Sequence, residues 1–136
     1  MTLKEYFSGD TFAAAAGVKI TDVRPGYAKA EMPITAVTLN ASGWCQGGAL
    51  FTLADLTLAV ALNTHEHLTV SVNSNIAFFK SVRSGCVYAE AREIIDHHRL
   101  PYGQVQITDD SGDLVAIFTS SGYRKKNAVI DYSGLI

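Results

Sequence analysis

The segment from Ala49 to about Asn63 reads ALFTLADLTLAVALN, and it limits the possible folds more than any other part of the chain. It is rich in Leu and Ala and free of Gly and Pro, which predicts one long helix. Its apolar residues fall on every face rather than along one stripe, so this helix is expected to be buried all round. A chain of 136 residues has material for a single core, and 1–136 is read as one domain. The remaining residues must therefore wrap the helix. The longest apolar stretch, interrupted by Thr52, Asp55 and Thr57, falls short of the ~20 residues that span a bilayer and reads as a core element, not an anchor.

The other segments suit that task. The first sixteen residues favour helix, which stops at Gly17. Val18 to Val23 and Tyr27 to Ile34 read as a hairpin around Arg24, Pro25 and Gly26. Thr38 to Gly48 is loop-like, and the second half alternates as strands over Thr69 to Phe79, Val87 to about Asp96, Tyr102 to Thr108 and Leu114 to Tyr123. The prediction is an α+β fold: an antiparallel sheet of five or six strands, curled around one central helix.

Composition narrows the function. Hydrophobic residues make up 48% and charged residues 18%, with 11 Lys and Arg against 13 Asp and Glu. That balance excludes intrinsic disorder and leaves no basic footprint for nucleic acid. So few charges also hint at apolar surface covered by a partner subunit. Cys45 and Cys86 are too few for a disulfide framework, and the start lacks a signal-like core, so a cytoplasmic setting is expected.

Two local features could carry chemistry. Asp55 is the one charge on the apolar helix, where an unpaired carboxylate costs several kcal/mol to bury and its pKa rises instead. It either caps or pairs with a neighbour, or it is a general base in a dry cleft. Gly47 and Gly48 stand directly before the predicted helix, where unpaired N–H groups and the positive dipole end favour a carbonyl oxygen or an anion. A tight turn without a ligand is the alternative. Gly47 and Asp55 lie ~12 Å apart along a helix, too far to act on one carbonyl within a subunit. A two-fold antiparallel pairing of helices would bring one subunit's Gly47 to the other's Asp55.

The run Asn40-Ala-Ser-Gly-Trp-Cys-Gln46-Gly47-Gly48-Ala-Leu-Phe-Thr-Leu-Ala-Asp55 resembles the signature of hotdog-fold acyl-CoA thioesterases of the phenylacetyl-CoA thioesterase type. That pattern has Asn, then His-Gly-Gly beginning six residues later, and Leu-Ala-Asp nine residues beyond the His. The resemblance covers nearly the whole chain. It implies hydrolysis of an acyl-CoA or aryl-acyl-CoA without metal or cofactor, by a homodimer or a homotetramer built as a dimer of dimers. It further implies Gly47 N–H as oxyanion donor, Asp55 of the facing subunit as base or nucleophile, Asn40 fixing a water or the loop, and Ser71 as a water-orienting hydroxyl.

Gln46 departs from the family, which usually has His there; an amide positions a group but does not shuttle protons. Ser71, Asn73 and Asn75 alternate along one strand and would form a polar cleft wall, or a solvated outer face. Gly48 and Trp44 are further candidates for contact with substrate, and Phe78, Phe79 and Tyr88 could line an acyl pocket or belong to the core. Arg83, Arg99, Arg124, Lys125 and Lys126 are candidates for the CoA phosphates. His65, His67, His97 and His98 read as surface histidines in turns rather than metal ligands, and Cys45 reads as packing rather than a nucleophile. A non-catalytic acyl-CoA or fatty-acid binding protein with the same groove is the rival reading. A hotdog dehydratase is disfavoured because no histidine occupies the motif.

Overall fold

A computed structural model describes residues 1–136. Two short helices, α1 (Leu3–Ser8) and α2 (Thr11–Ala16), precede a hairpin of β1 (Lys19–Arg24) and β2 (Tyr27–Pro33). A 3₁₀ turn (Ala36–Thr38) and a loop lead into α3 (Gly47–Leu62), and β3 (His67–Phe78), β4 (Cys86–Ile95), β5 (Tyr102–Asp109) and β6 (Leu114–Val129) follow. All six strands form one antiparallel sheet in the order β1-β2-β4-β5-β6-β3.

The sheet curls around α3, burying Leu50, Leu53, Leu58 and Val60 against Val87, Val105, Ile107 and Phe118. Close approach is possible because β5 carries Gly103 where a Cβ would strike the Leu58 side chain. The Phe51 ring meets Phe118 edge to face at 5.1 Å. At the far end Asn63 caps the helix and pins the start of β3: its Nδ2 donates to the Ala59 and Thr69 carbonyls, and its Oδ1 accepts from the Thr69 N–H.

Four expectations need correction. The leading helix is two helices, because Gly9 ends the first and the Asp10 carboxylate caps the second by accepting from the Ala13 N–H. The main helix begins at Gly47, not Ala49, with Gln46 as its N-cap residue. The last strand runs on to Val129. Finally, α3 is not buried all round by its own chain, since Gly48, Thr52, Asp55 and Ala59, which recur at helical spacing along one stripe, stay at least partly open.

Candidate active site

The N-terminus of α3 is built by its cap. Gln46 Oε1 folds back to accept from the Ala49 N–H at 3.1 Å, and the Gln46 carbonyl accepts from the Ala49 and Leu50 N–H groups. The amides of Gly47 and Gly48 then donate to no other group of the chain. Both glycines have steric reasons. A Cβ on Gly48 would lie 2.6 Å from Gln46 Oε1, and one on Gly47 would lie 3.0 Å from Phe78 Cζ. The Phe78 ring, from the last residue of β3, thus roofs the first free amide.

Asp55 projects from the open stripe two turns further on. No Lys, Arg or His of the chain lies within ion-pair distance of it. Burial holds its carboxyl above the usual carboxylate range, the negative charge of Asp10 pushes the same way, and a hydrogen bond from the Ser71 hydroxyl offsets part of the rise. A carboxylate kept basic by partial desolvation, beside a hydroxyl, is suited to accept a proton from water.

Ser71 lies on the same side of β3 as buried Thr69, two residues earlier, and a bulge follows it. The β3–β6 register runs Ser71↔Gly122 and then Asn73↔Ser121, so Val72 is an extra residue. Thr69 is buried before the bulge, and Ser74, after it, bonds to buried Ser120 at 2.8 Å. The parity of the strand therefore changes: Ser74 is half-buried against Ser120, while Asn73 and Asn75 are exposed, as is Ser71 at the open rim beside Asp55. The cleft wall expected from Ser71, Asn73 and Asn75 does not form, because strict alternation fails across the inserted residue.

Asn40 organises the loop. Its Oδ1 accepts from the Ser42 and Trp44 N–H groups at 2.9 and 3.0 Å. Trp44 lies beneath the Arg83 guanidinium, 3.8 Å from the ring centre, in a surface hollow shared with Lys80 and Ser84. Lys80 is paired there with Asp109 and Asp113. Phe79 is exposed beside Phe78, and the Tyr88 hydroxyl donates to Asp110. Cys45 is buried, which pushes its thiol pKa up and leaves it a poor nucleophile.

Arg124 is a correction. It is only 7% exposed, and its guanidinium bonds Glu93 and Asp96 at 3.2 and 3.0 Å, the His97 carbonyl and the Thr69 hydroxyl. Two carboxylates already consume its charge, so it has none to offer a phosphate. Arg99 donates to the Arg124 carbonyl, while Lys125 and Lys126 remain exposed on β6. His65 belongs to the same network, half-buried against Glu93 at 2.8 Å, and is not a free surface histidine. His65, Glu93 and Asp96 have donor atoms within 4.8 Å of one another, but Arg124 already supplies the positive charge a metal would bring. The His97 ring nitrogen accepts from the Arg99 and Leu100 N–H groups, which makes it part of its own turn.

A curled six-stranded sheet around one helix, with free amides at the helix start and a basic carboxylate on its open stripe, defines the class of hotdog-fold thioester hydrolases. The chain belongs to the thioesterase superfamily, whose family model matches residues 43–116. The acyl-coenzyme A thioesterase PaaI of Escherichia coli K12 is 28% identical over 120 residues, covering 87% of this chain and 85% of that one. The structure of the E. coli PaaI protein from the phenylacetic acid degradation operon superposes with a TM-score of 0.87 at 26% identity, over 93% of this chain and 92% of that one. A mutant of the phenylacetic acid degradation protein PaaI from Thermus thermophilus gives 0.81 at 31% identity, over 85% and 100%. This chain is accordingly a thioester hydrolase.

Sequence reasoning missed two parts of the site. Asp10 acts on Asp55 through space from a helix junction that reads in the sequence as continuous helix. Phe12 of α2 is 75% exposed, and its signal was a single large ring ahead of a run of alanines.

Proposed function

We propose that the hydrolysis runs at two equivalent sites on the seam of a homodimer, each made from Gly47 of one subunit and Asp55 of the other. The observation that carries this is the pairing of two free amides with a charge-unpartnered, raised-pKa carboxylate eight residues along the same helix. The thioester oxygen accepts from the Gly47 N–H, so negative charge developing there faces a fixed donor at a helix N-terminus. Asp55 removes a proton from a water that the Ser71 hydroxyl helps hold, and that water attacks the carbonyl carbon. Alternatively, Asp55 itself attacks and water then hydrolyses the anhydride. In either route the C–S bond breaks and CoA leaves as a thiolate, a leaving group that needs little protonation. The residues supply all of this chemistry, so the proposal includes no metal or cofactor. The substrate scope includes acyl and aryl-acyl groups.

The dimer follows from an edge. β3 pairs only with β6 and is the outer strand at that side of the sheet. From Leu68 to Phe79 it carries no charge and no proline, and Val72 is 66% exposed. A long uncharged edge is a template for a second strand, and proteins that stay monomeric blunt such edges. Antiparallel pairing of two β3 strands would juxtapose the open stripes of two α3 helices and cover the apolar surplus. It would also bring the exposed Lys125 and Lys126 of one subunit toward the Arg83 end of its partner, where CoA phosphates need cations. Light scattering is expected to give twice the chain mass or a multiple of it, and Val72→Lys to shift it toward the monomer with loss of activity.

A shared site has a sharper consequence. Asp55→Asn and Gly47→Val subunits are each expected to be inactive, whereas a mixed dimer holds one intact site. Co-expression with separate affinity tags should recover thiol release from acyl-CoA in the doubly tagged fraction. An inactive mixed dimer would place both groups on one subunit and sink the seam.

Gln46 tests what the motif position does. Its Oε1 is committed to the cap, and its Nε2 donates to no group of the chain. It therefore acts as a positioning donor beside the amides. Gln46→Ala is expected to lower kcat about tenfold, in keeping with loss of one hydrogen bond to a developing charge. Gln46→His should retain activity within about tenfold of the wild type across pH 6–9, since thiolate departure needs no acid. A far larger rise with His would assign this position a proton-transfer role.

A further inference from the structure

A groove of about 380 Å³ opens beside the N-terminus of α3, between that helix, α2 and the 3₁₀ turn. Phe12, Ala15 and Ala16 of α2, Val37 of the turn and Ala49 of α3 form its apolar walls. We propose that this groove receives the acyl group of the substrate and selects uncharged, apolar chains, with Ala15, Ala16 and Val37 setting how large a group fits. The inference rests on the thioesterase reading and adds the class of acyl group and the residues that choose it.

Three observations point to this occupant rather than to the CoA arm. The groove has no Asp, Glu, Lys, Arg or His in its lining. Apart from Gln46 Nε2, the polar side-chain atoms that line it are engaged within the chain. The Thr38 hydroxyl donates to the Thr35 carbonyl and accepts from the Thr35 N–H, the Thr52 hydroxyl donates to the Gly48 carbonyl, and Gln46 Oε1 accepts from the Ala49 N–H. A pantetheine arm, with its amides and hydroxyl, would lose hydration there and find few partners. A hydrocarbon gains by leaving water.

The third observation is continuity. Gly48 lines the groove and also carries one of the two free amides. The thioester carbon is bonded to the oxygen those amides would hold, so the acyl chain departs along a surface that starts at Gly48. The hollow that holds Trp44 and Arg83 does not share a lining residue with the groove, and its Arg83 is a cation with no carboxylate partner. Phe12 and Val37 are 75% and 76% exposed, two large apolar side chains left in water on the groove's rim. An acyl chain seated between them would cover both.

The test compares kcat/KM for acetyl-, hexanoyl-, decanoyl-, phenylacetyl- and succinyl-CoA in the wild type, Val37→Asp and Ala15→Phe. Both positions are exposed, and thermal melts establish that each variant folds. The wild type should favour decanoyl or phenylacetyl over succinyl. Val37→Asp should lower kcat/KM for decanoyl- and phenylacetyl-CoA about tenfold or more beyond whatever it does to acetyl-CoA, the scale on which an altered apolar pocket discriminates. Ala15→Phe should shorten the longest chain accepted. An equal loss for every acyl group, no loss for any, or succinyl-CoA as the best substrate would overturn the groove assignment and leave the thioesterase reading standing. A wild type that releases no thiol from any of the five overturns that reading, and this inference with it. If Val37→Asp instead lowers the oligomer mass, the groove is a subunit contact and the proposal fails.

Discussion

Asp55→Asn is expected to lower thiol release from acyl-CoA by a factor of about 10² to 10⁴, the range that a positioned general base contributes. The same variant should melt no lower than the wild type at pH 7. Both effects have one cause. Burial and the charge of Asp10 hold the Asp55 carboxyl above its ordinary value of 3.8, so the folded chain binds that proton more tightly than the unfolded chain does. Stability is therefore lost as pH rises from about the unfolded value through the raised folded value. The penalty is absent below that window and complete above it. Asparagine cannot ionise, so the gain in melting temperature should be present at pH 7 and vanish toward pH 3.8. The wild-type kcat/KM profile should have its acidic limb above the ordinary carboxylate range. If catalysis is lost together with stability at pH 7, Asp55 is a structural carboxylate with a partner and not a base. In a single turnover in ¹⁸O water, label in the Asp55 carboxylate establishes direct attack with water adding to the aspartyl carbonyl of the anhydride, because water activation labels the acid alone.

The central helix, the count of strands and the partly buried carboxylate on that helix were legible because each rests on local chemistry: an unbroken Leu and Ala run, turn residues between alternating stretches, and one charge among apolar neighbours. What the sequence hid was non-local. Ser71, Asn73 and Asn75 alternate in the sequence, but the extra residue in β3 depends on pairing with β6 and cannot be seen in either strand alone. Arg124 looks like one more basic residue in a run with Lys125 and Lys126. Only the fold brings Glu93 and Asp96, about thirty residues earlier, against its guanidinium. The helix reads as starting two residues late because glycine is a poor helix former. At Gly47 and Gly48 a Cβ would crowd the Phe78 ring and displace the Gln46 side chain from its cap, which favours glycine there despite its poor helix propensity.

Arg124→Met is expected to destabilise the fold by about 3 to 5 kcal/mol, the cost of breaking a buried ion pair by removing one partner. The side chains of Arg124 and Glu93 are 8% and 5% exposed, and the pair ties β6 to β4 where the sheet closes over the C-terminal end of α3. Removing the guanidinium leaves Glu93 buried with the His65 ring nitrogen as its remaining side-chain hydrogen-bond partner. It also strips donors from Asp96, the His97 carbonyl and the Thr69 hydroxyl. Urea unfolding should show a lower midpoint with an unchanged slope. Replacing both members, Arg124→Met with Glu93→Leu, should recover most of the loss, because an apolar pair of similar volume has no buried charge to leave uncompensated. Kinetics separate this role from the phosphate contact that its neighbours in the sequence suggest. Below the melting temperature the folded variant should keep its KM for acyl-CoA, whereas Arg83→Ala, which bares Trp44 and removes an exposed cation, should raise KM with little change in melting. A rise in KM for Arg124→Met without a fall in stability would move that arginine from the frame of the molecule to its substrate.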